Sequence, residues 1–401
     1  MIVFPIIIGY LIGSILPAYF LTKWLKKVDI RQIGTRHAGT TNVKRNVGLG
    51  PAIITATYDT TKGLLSMAIA SDIFHASKSI VYLSGIAAIF GHVFPFYLGF
   101  RGGRGVATTV GMLIFMLGKV SLSVLKLDTI LPDLLFMTFL TLSIYITTKD
   151  ENFLAVTILP VLCALLIIRI PISLDLVFIL FLILYAFFIS SMNLKKMRIF
   201  EERDANIITW RILIRPAAIS FLILHLFIPK ASLTLLIGIV WGIAFLIDFI
   251  RLFWPKANEF FMRKLKKVRI YKAKEERRFS SITTFLMGTF LSYLFFVEPI
   301  FVACLGFLIF GDMIAKIIGI NYGKRRIFQA GQVKTLEGTI GFFTSSITIS
   351  YFLWITSVLP IHIGLTGATV ATLVEILPLP VDDNVSVPIL SGSVMMLVAN
   401  F

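Results

Sequence analysis

Residues 91–111 read GHVFPFYLGFRGGRGVATTVG. Apolar sequence flanks this stretch, yet its middle, Phe100 to Gly105, sets two guanidinium groups among three glycines. Glycine lets backbone approach an oxyanion closely, and arginine offers phosphate a bidentate pair of hydrogen bonds. Val106-Ala-Thr-Thr-Val-Gly111 continues as a helix candidate, and a helix start adds the positive end of its dipole. Arg101, Gly102, Gly103, Arg104 and Gly105 therefore read as an anion cradle at a helix N-terminus. The competing reading is a basic turn that only keeps positive charge on the cytoplasmic side.

The surroundings are those of a membrane protein. The chain of 401 residues is 57% hydrophobic and 15% charged, with 36 phenylalanines and a mean hydropathy of +0.90. Soluble domains are about 45–50% apolar and about 25% charged. The expected fold is all-α: a polytopic integral membrane protein of about fourteen transmembrane helices in two helical modules. Candidate spans start near residues 2, 50, 79, 104, 129, 152, 173, 209, 232, 282, 300, 339, 361 and 386. The first has neither a basic stretch before it nor a small-residue cleavage site, and reads as a retained span. Cys163 and Cys304 each sit in an apolar run without metal or redox spacing, so no disulfide is expected.

Lysine and arginine concentrate in alternate loops. Seven lie in Lys23–Arg45 and eleven in Arg251–Arg278, with others at Asn193–Asn206 and Lys316–Lys334. Basic loops stay cytoplasmic, which puts the N-terminus outside and the basic loops inside. Topology and anionic headgroups account for most of the net charge of +17, and no nucleic-acid recognition module is present. The charged stretch at 251–281 and the one at 193–206 suggest two modules, 1–208 and 209–401.

Within the first module, Gly34 to Gly48 repeats the ingredients of the cradle: Gly34, Arg36, Gly39, Asn42, Arg45 and Gly48. Two cradles suggest two phosphates. Asp59 and Lys62 stand three apart on one helical face inside a span candidate, where ionisable residues are expensive and default to function. A structural ion pair is the alternative. His92 ends the third span just before Pro95 and is a general-base candidate.

Taken in order, these blocks resemble the bacterial acyl-phosphate:glycerol-3-phosphate acyltransferases of the PlsY type, over about the first 210 residues. The residues carrying the likeness are Gly9-Tyr-Leu-Ile-Gly-Ser14, Gly39-Thr-Thr-Asn42 with Arg45, Asp59-Thr-Thr-Lys-Gly63, Gly91-His-Val-Phe-Pro95 with Arg101–Thr108, and Glu202-Arg-Asp-Ala-Asn-Ile207. The resemblance implies transfer of an acyl group from acyl phosphate to glycerol 3-phosphate at the cytoplasmic face of a bacterial-type inner membrane, without a cofactor. It implies phosphate binding by Arg45, Asn42, Gly39, Arg101 to Gly105 and Asn206. Lys62 and Asp59 would orient, Thr35 would supply a hydroxyl, and His92 would help move the proton. The family usually shows Ser-Gly-Asn where this chain has Thr35-Arg36-His37, and lysines where it has Arg101 and Arg104. His37 in place of asparagine changes donor, acceptor and pKa.

A different set follows residue 280: Gly311-Asp-Met-Ile-Ala315, Gly323-Lys-Arg-Arg326, Lys334-Thr-Leu-Glu-Gly338, Glu375 and Asp382-Asp-Asn-Val-Ser-Val-Pro388. A carboxylate near a span end can hold Mg²⁺ together with substrate phosphates, and Gly323, Lys324 and Lys334 have the chemistry to hold a polyphosphate. Unrelated polar caps are the alternative. This pattern resembles the CTP-dependent dolichol, phytol and diacylglycerol kinases and, more distantly, phosphatidate cytidylyltransferase. That resemblance implies Mg²⁺-CTP as donor and a lipid alcohol as acceptor. Asp312 and Asp383 would be metal ligands, with Gly311, Gly323, Lys324, Lys334, Glu337, Gly338 and Asn384 around the nucleotide. The whole would be a fusion of two lipid enzymes. A transporter of anionic phosphorylated solutes is the reading from another class, weakened because the motifs of the first half do not recur in the second, and a third reading keeps one half active and makes the other structural.

Overall fold

Long apolar runs with little glycine or proline in their interiors can satisfy their backbone in a membrane only as helices. The computed structural model describes residues 3–124, 126–194, 220, 221, 224, 227–266, 278–327 and 334–399. Among these residues regular structure is helical, apart from one isolated antiparallel bridge between Arg326 and Thr335. The expected module boundary at 208 and Asn206 lie outside the described residues.

The helices are α1 (Val3–Ser14), α2 (Pro17–Lys26), α3 (Thr40–Asn46), α4 (Leu49–Ala68), α5 (Lys78–Val93), α6 (Val106–Val124), α7 (Leu127–Thr148), α8 (Glu151–Arg169) and α9 (Leu174–Leu194). After these come α10 (Lys230–Phe253), α11 (Pro255–Lys266), α12 (Ser281–Phe295), α13 (Glu298–Gly306), α14 (Asp312–Tyr322), α15 (Leu336–Ile355), α16 (Ile361–Ile376) and α17 (Asp383–Ala399). A five-residue π turn, Phe307–Gly311, joins α13 to α14. The chain forms two compact units, Met1–Met137 with Ala155–Leu194, and Thr138–Leu154 with Lys195–Phe401. The division falls inside α7 and α8.

Among the described residues, eight helical stretches are long and apolar enough to cross a membrane, which makes this a multi-pass membrane protein. The expected fourteen is corrected by geometry. Val106–Ser121, Ser281–Phe295, Ile361–Ile376 and Asp383–Ala399 are apolar but short. At about 1.5 Å per residue they fall short of a hydrocarbon core about 30 Å thick. The helix α4 has 20 residues but carries Asp59 and Lys62 in its middle. The span expected from residue 209 lies outside the described residues.

In the first unit α1 packs on α5, α4 packs on α5 and α6, and α6 packs on α9. Met67, Ile89, Met112, Met116, Ile179 and Leu182 fill the space between them. The α1–α5 seam is made of backbone. A Cβ on Gly13 would run into the main chain of Ala88, one on Gly9 into the carbonyl of Ser84, and one on Gly91 into the carbonyl of Tyr10. Small residues permit such closeness, which van der Waals packing rewards in a lipid solvent. A second cluster, including Leu16, Ile30, Ala38, Val43 and Leu98, seats the loop after α2. In the second unit α14 to α17 pack in sequence, and α12 and α13 pack on α17, around Phe301, Phe307 and Phe342.

Gly13→Val should force α1 off α5 and cost about 2 kcal/mol or more, because backbone cannot yield as a side chain does. Gly118 lies inside α6 with nothing within 4 Å of a Cβ. Gly118→Ala should stabilise by about 0.5–1 kcal/mol through the lost flexibility of the unfolded chain. Unfolding midpoints of the two variants in detergent check both signs.

Candidate functional site

An aspartate, a lysine and a histidine meet inside the first unit. Asp59 and Lys62 lie one turn apart on α4, and His92 ends α5. The Lys62 ammonium donates to Asp59 Oδ1 at 2.7 Å, contacts His92 Nδ1 at 2.7 Å, and reaches the Ile15 carbonyl at 3.3 Å. The Asp59 carboxylate stands 3.4 Å from the same ring nitrogen. All three side chains are buried, with relative exposures of 1%, 0% and 3% for Asp59, Lys62 and His92. An ammonium has no acceptor, so Nδ1 takes the hydrogen bond and Nε2 carries the proton in this network. That nitrogen faces Gly103, whose absent side chain makes room for the ring.

The cationic loop stands directly on this network. The amides of Gly102 and Gly103 donate to the carbonyls of Val93 at 2.9 Å and His92 at 3.0 Å. This corrects the expectation that these two amides face an oxyanion: they stitch the loop to the end of α5. Gly105 has φ +70° and turns the chain into α6, which begins at Val106 where the sequence placed a helix start. Four further groups fix the loop. The Arg31 guanidinium donates to the carbonyls of Leu98 at 2.7 Å and Arg101 at 3.0 Å. Asp29 holds Arg31 bidentately, at 3.0 and 2.7 Å. That hydrogen-bonded Arg31 keeps the Asp29 carboxyl below the usual carboxylate range. The Tyr10 hydroxyl donates to the Phe94 carbonyl at 2.7 Å, and the Tyr185 hydroxyl to the Arg104 carbonyl at 2.8 Å.

Beside the loop lies a cavity of about 730 Å³. Its charged and polar wall is Asp29, Arg31, Gln32, Arg36, His37 and Arg101, with Val93, Leu98, Gly99 and Gly102 completing it. Three guanidinium groups against one carboxylate, itself engaged by Arg31, make the cavity a receptor for anions. Arg104 stands at the rim, with Nη1 2.5 Å from Asn193 Oδ1 and Nη2 2.8 Å from His37 Nε2.

Other expected residues take different places. Asn42 is 2% exposed and serves the loop itself. Its amide donates to the carbonyls of Ile30, Ile33 and His37, each at 3.0 Å, and its oxygen accepts from the Thr35 amide at 3.1 Å. Asn42 is therefore loop scaffold rather than a phosphate ligand. Gly39 caps α3, Arg45 is exposed in its last turn, and Thr35 is exposed in the loop. Sequence reading missed Asp29, Arg31, Tyr185 and Asn193. Only the first two carried a local signal, an acid two residues before an arginine at the head of a glycine-bearing loop. Tyr185 and Asn193 reach Arg104 across 81 and 89 residues.

In the second unit the residues singled out divide into two groups. Lys334 pairs with Glu375 at 3.0 Å, bonds its carbonyl, and stands 3.7 Å from Asp383. Glu375 Oε2 is buried without a hydrogen-bond partner among the described residues. Asp312 is instead ion-paired with Lys316 at 2.6 Å, and among the described residues no three of His, Cys, Asp and Glu converge as a metal cluster. Glu337 accepts from the backbone of Lys324 and Arg325, while Lys324 itself is exposed. The Gly338 amide is capped by Thr335, Gly323 donates to the Gly319 carbonyl, and Gly311 packs on Phe342. The Asn384 amide bonds Asp382 at 2.6 Å and Thr284 at 3.2 Å.

Residues 3–199 match the family described as glycerol-3-phosphate acyltransferase. A protein of that name from Halalkalibacterium halodurans is 38% identical over 155 residues, which are 36% of this chain and 75% of the relative. One from Synechococcus sp. (strain CC9902) is 42% identical over 120 residues, 30% of this chain and 60% of the relative. One from Shouchella clausii is 42% identical over 113 residues, 28% of this chain and 55% of the relative. The chain thus spans a little over half the length of several curated relatives it matches. A crystal structure of PlsY, an integral membrane glycerol 3-phosphate acyltransferase in its glycerol 3-phosphate form, is 25% identical with a TM-score of 0.38, covering 49% of this chain and 90% of that one.

Arg36 is exposed and holds φ +58°, a left-handed conformation that costs a residue with a Cβ about 1–2 kcal/mol. Arg36→Gly should raise the unfolding midpoint accordingly. Gly103→Ala should lower it, because its Cβ meets the His92 ring and the Ala38 carbonyl. Thermal unfolding of the two purified variants beside the parent reads both.

Proposed function

The chain belongs to the glycerol-3-phosphate acyltransferase family, and from that premise we propose that its first unit moves an acyl group from acyl phosphate to glycerol 3-phosphate, yielding lysophosphatidate and phosphate. The observation that carries this reading is the anion-receptive cavity walled by Arg31, Arg36 and Arg101. Both substrates bear phosphate, and an acyl phosphate is already activated, so no covalent enzyme intermediate is required. The glycerol 3-phosphate hydroxyl oxygen forms a bond to the acyl carbonyl carbon. The bond from that carbon to the phosphate oxygen breaks, and the hydroxyl proton leaves with the phosphate. Negative charge grows on the departing phosphate, where fixed guanidinium groups stabilise it. Holding the two substrates together supplies much of the rest, up to about 7–11 kcal/mol in favourable cases.

Buried as they are, Asp59, Lys62 and His92 are positioning residues in this scheme. They fix the platform beneath Gly103, while Arg36, Arg101 and Arg104 meet the anions. The alternation of basic loops supports an N-terminus outside and a cavity facing the cytoplasm of a bacterial-type membrane, where glycerol 3-phosphate is found.

For the second unit we propose phosphoryl transfer from Mg²⁺-CTP to a lipid alcohol, the donor and acceptor taken from the sequence resemblance and the Lys334–Glu375–Asp383 cluster taken as the place for metal and phosphates. The unpartnered Oε2 of Glu375 and the Asp383 carboxylate have the donor chemistry that Mg²⁺ takes, with phosphates and water completing its shell. Lys334 would bind the polyphosphate. When bound, Mg²⁺ would neutralise charge on the transferring group.

Purified protein in detergent should form lysophosphatidate from palmitoyl phosphate and glycerol 3-phosphate, and none from palmitoyl-CoA. Arg101→Ala should lower kcat/KM by about 10–100-fold, the worth of one charge-assisted hydrogen bond, and Arg101→Lys should recover most of it. Absence of product from folded protein overturns the first reading. Transfer of label from γ-labelled CTP to diacylglycerol or a polyprenol, lost in Glu375→Gln, supports the second; no transfer to either lipid from a preparation active in acyl transfer overturns it.

A further inference from the structure

His37 and Arg104, two of the positions where this chain departs from the pattern its family usually shows, touch each other at the cavity rim. The contact is His37 Nε2 to Arg104 Nη2 at 2.8 Å. A guanidinium only donates, so His37 must present a bare ring nitrogen and be neutral. Arg104 is otherwise held by the Asn193 side chain at 2.5 Å and through its carbonyl by Tyr185. Among the described residues, His37 therefore supplies one of the two side-chain hydrogen bonds that aim this guanidinium. We propose that neutral His37 is a positioning residue for Arg104, and that capture of the phosphorylated substrate weakens when His37 gains a proton. The proposal rests on the acyltransferase reading and deepens it.

The charges around His37 all bear on the sign. Arg104 contacts it directly. The cavity wall adds Arg31, Arg36 and Arg101 against a single acid, Asp29, which is already paired with Arg31. The end of α5 contributes Val93 to this wall, and α9 sets the neutral Asn193 against Arg104. Burial first, and the Arg104 charge second, push the imidazole below its ordinary value near 6.5. A lowered histidine keeps the contact above its ordinary pKa and loses it as pH falls towards the folded value. The affected window therefore lies below about pH 6.5. A protonated His37 would also attract phosphate, because its side chain lines the cavity itself. Repulsion acts across a 2.8 Å contact with Arg104, and Coulomb energy falls with distance. In this proposal the loss of that contact with Arg104 outweighs the attraction, which is the sign the test reads.

The test compares the full chain with His37→Asn between pH 8 and pH 5.5. Asparagine keeps a hydrogen-bond acceptor but does not titrate. Glycerol 3-phosphate titrates in the same window, so the quantity to read is the ratio of KM values, parent over variant, in which the substrate's own titration cancels. That ratio should rise by about fivefold on acidification while the kcat ratio stays flat. A constant or falling KM ratio overturns the proposal. Calorimetric binding of inorganic phosphate, in the same two proteins over the same range, gives the same ratio without turnover. Should the acyltransferase reading fail, that ratio still rises if His37 aims Arg104, and stays flat if it does not.

Discussion

An ammonium group in the middle of an apolar bundle has to keep every partner it has. Lys62 has no exposed surface, and its neighbours are Asp59, the His92 ring and the Ile15 carbonyl. Removing one partner of such a buried pair costs about 3–5 kcal/mol, because the other charge is left stranded. The network therefore ties α4 to α5 and to the end of α1 at one point. The glycine seam between α1 and α5 carries the same constraint along the helices. Their backbones approach so closely at Gly9, Gly13 and Gly91 that sliding one helix along the other would bring side chains into main chain.

From that point the cavity is built outward. His92 fixes Gly103 through its ring and its carbonyl, and Val93 fixes Gly102. With those amides spent on α5, the loop offers the cavity the Arg101 guanidinium, while the Gly102 backbone that also lines it has its amide already bonded. The Asp29–Arg31 pair then clamps the loop from the opposite side, through the carbonyls of Leu98 and Arg101. Asn42 spends its side-chain hydrogen bonds on the segment that carries Arg36 and His37 and, through its oxygen, also on Asn46 of α3. The cations at the cavity wall are thus mounted on two loops that have few degrees of freedom left. Such rigidity lets fixed charge act on an anion without reorganising.

Much of this was legible before the coordinates. The glycine-arginine turn at a helix start, the i,i+3 spacing of Asp59 and Lys62, and the helical class all follow from local pattern. What local pattern cannot tell is what a polar group is pointed at. Gly102 and Gly103 read as oxyanion donors because glycine amides are approachable, yet approach by the His92 and Val93 carbonyls uses the same property. Asn42 read as a ligand because it is polar and lies among cations, yet it is buried beneath them. The count of spans ran high because hydropathy does not distinguish a helix of about 15 residues packed inside a bundle from one that crosses it. Tyr185 and Asn193 were beyond reach, since nothing near them in sequence announces Arg104.

Buried charge has two distinguishable uses in this chain, and satisfaction of its hydrogen bonds separates them. In the second unit, Asp248 and Arg251 are both fully buried. Arg251 donates to Asp248 at 3.1 Å and to the Arg278 carbonyl at 2.6 Å. The other Asp248 oxygen accepts from the Ser280 amide and the Thr283 hydroxyl, each at 2.7 Å. That pair pins the start of α12 after the most basic segment of the chain, and its polar atoms are matched within the fold. In the Lys62 network the ammonium, Asp59 Oδ1 and His92 Nδ1 are likewise matched to one another. Glu375 differs: one carboxylate oxygen is bound to Lys334, while the other is buried with nothing opposite it among the described residues. An unmatched buried oxygen costs about 1–3 kcal/mol or more. A bound group would offset that cost, so of these two buried carboxylates Glu375, rather than the fully matched Asp248, is the one to test as a ligand.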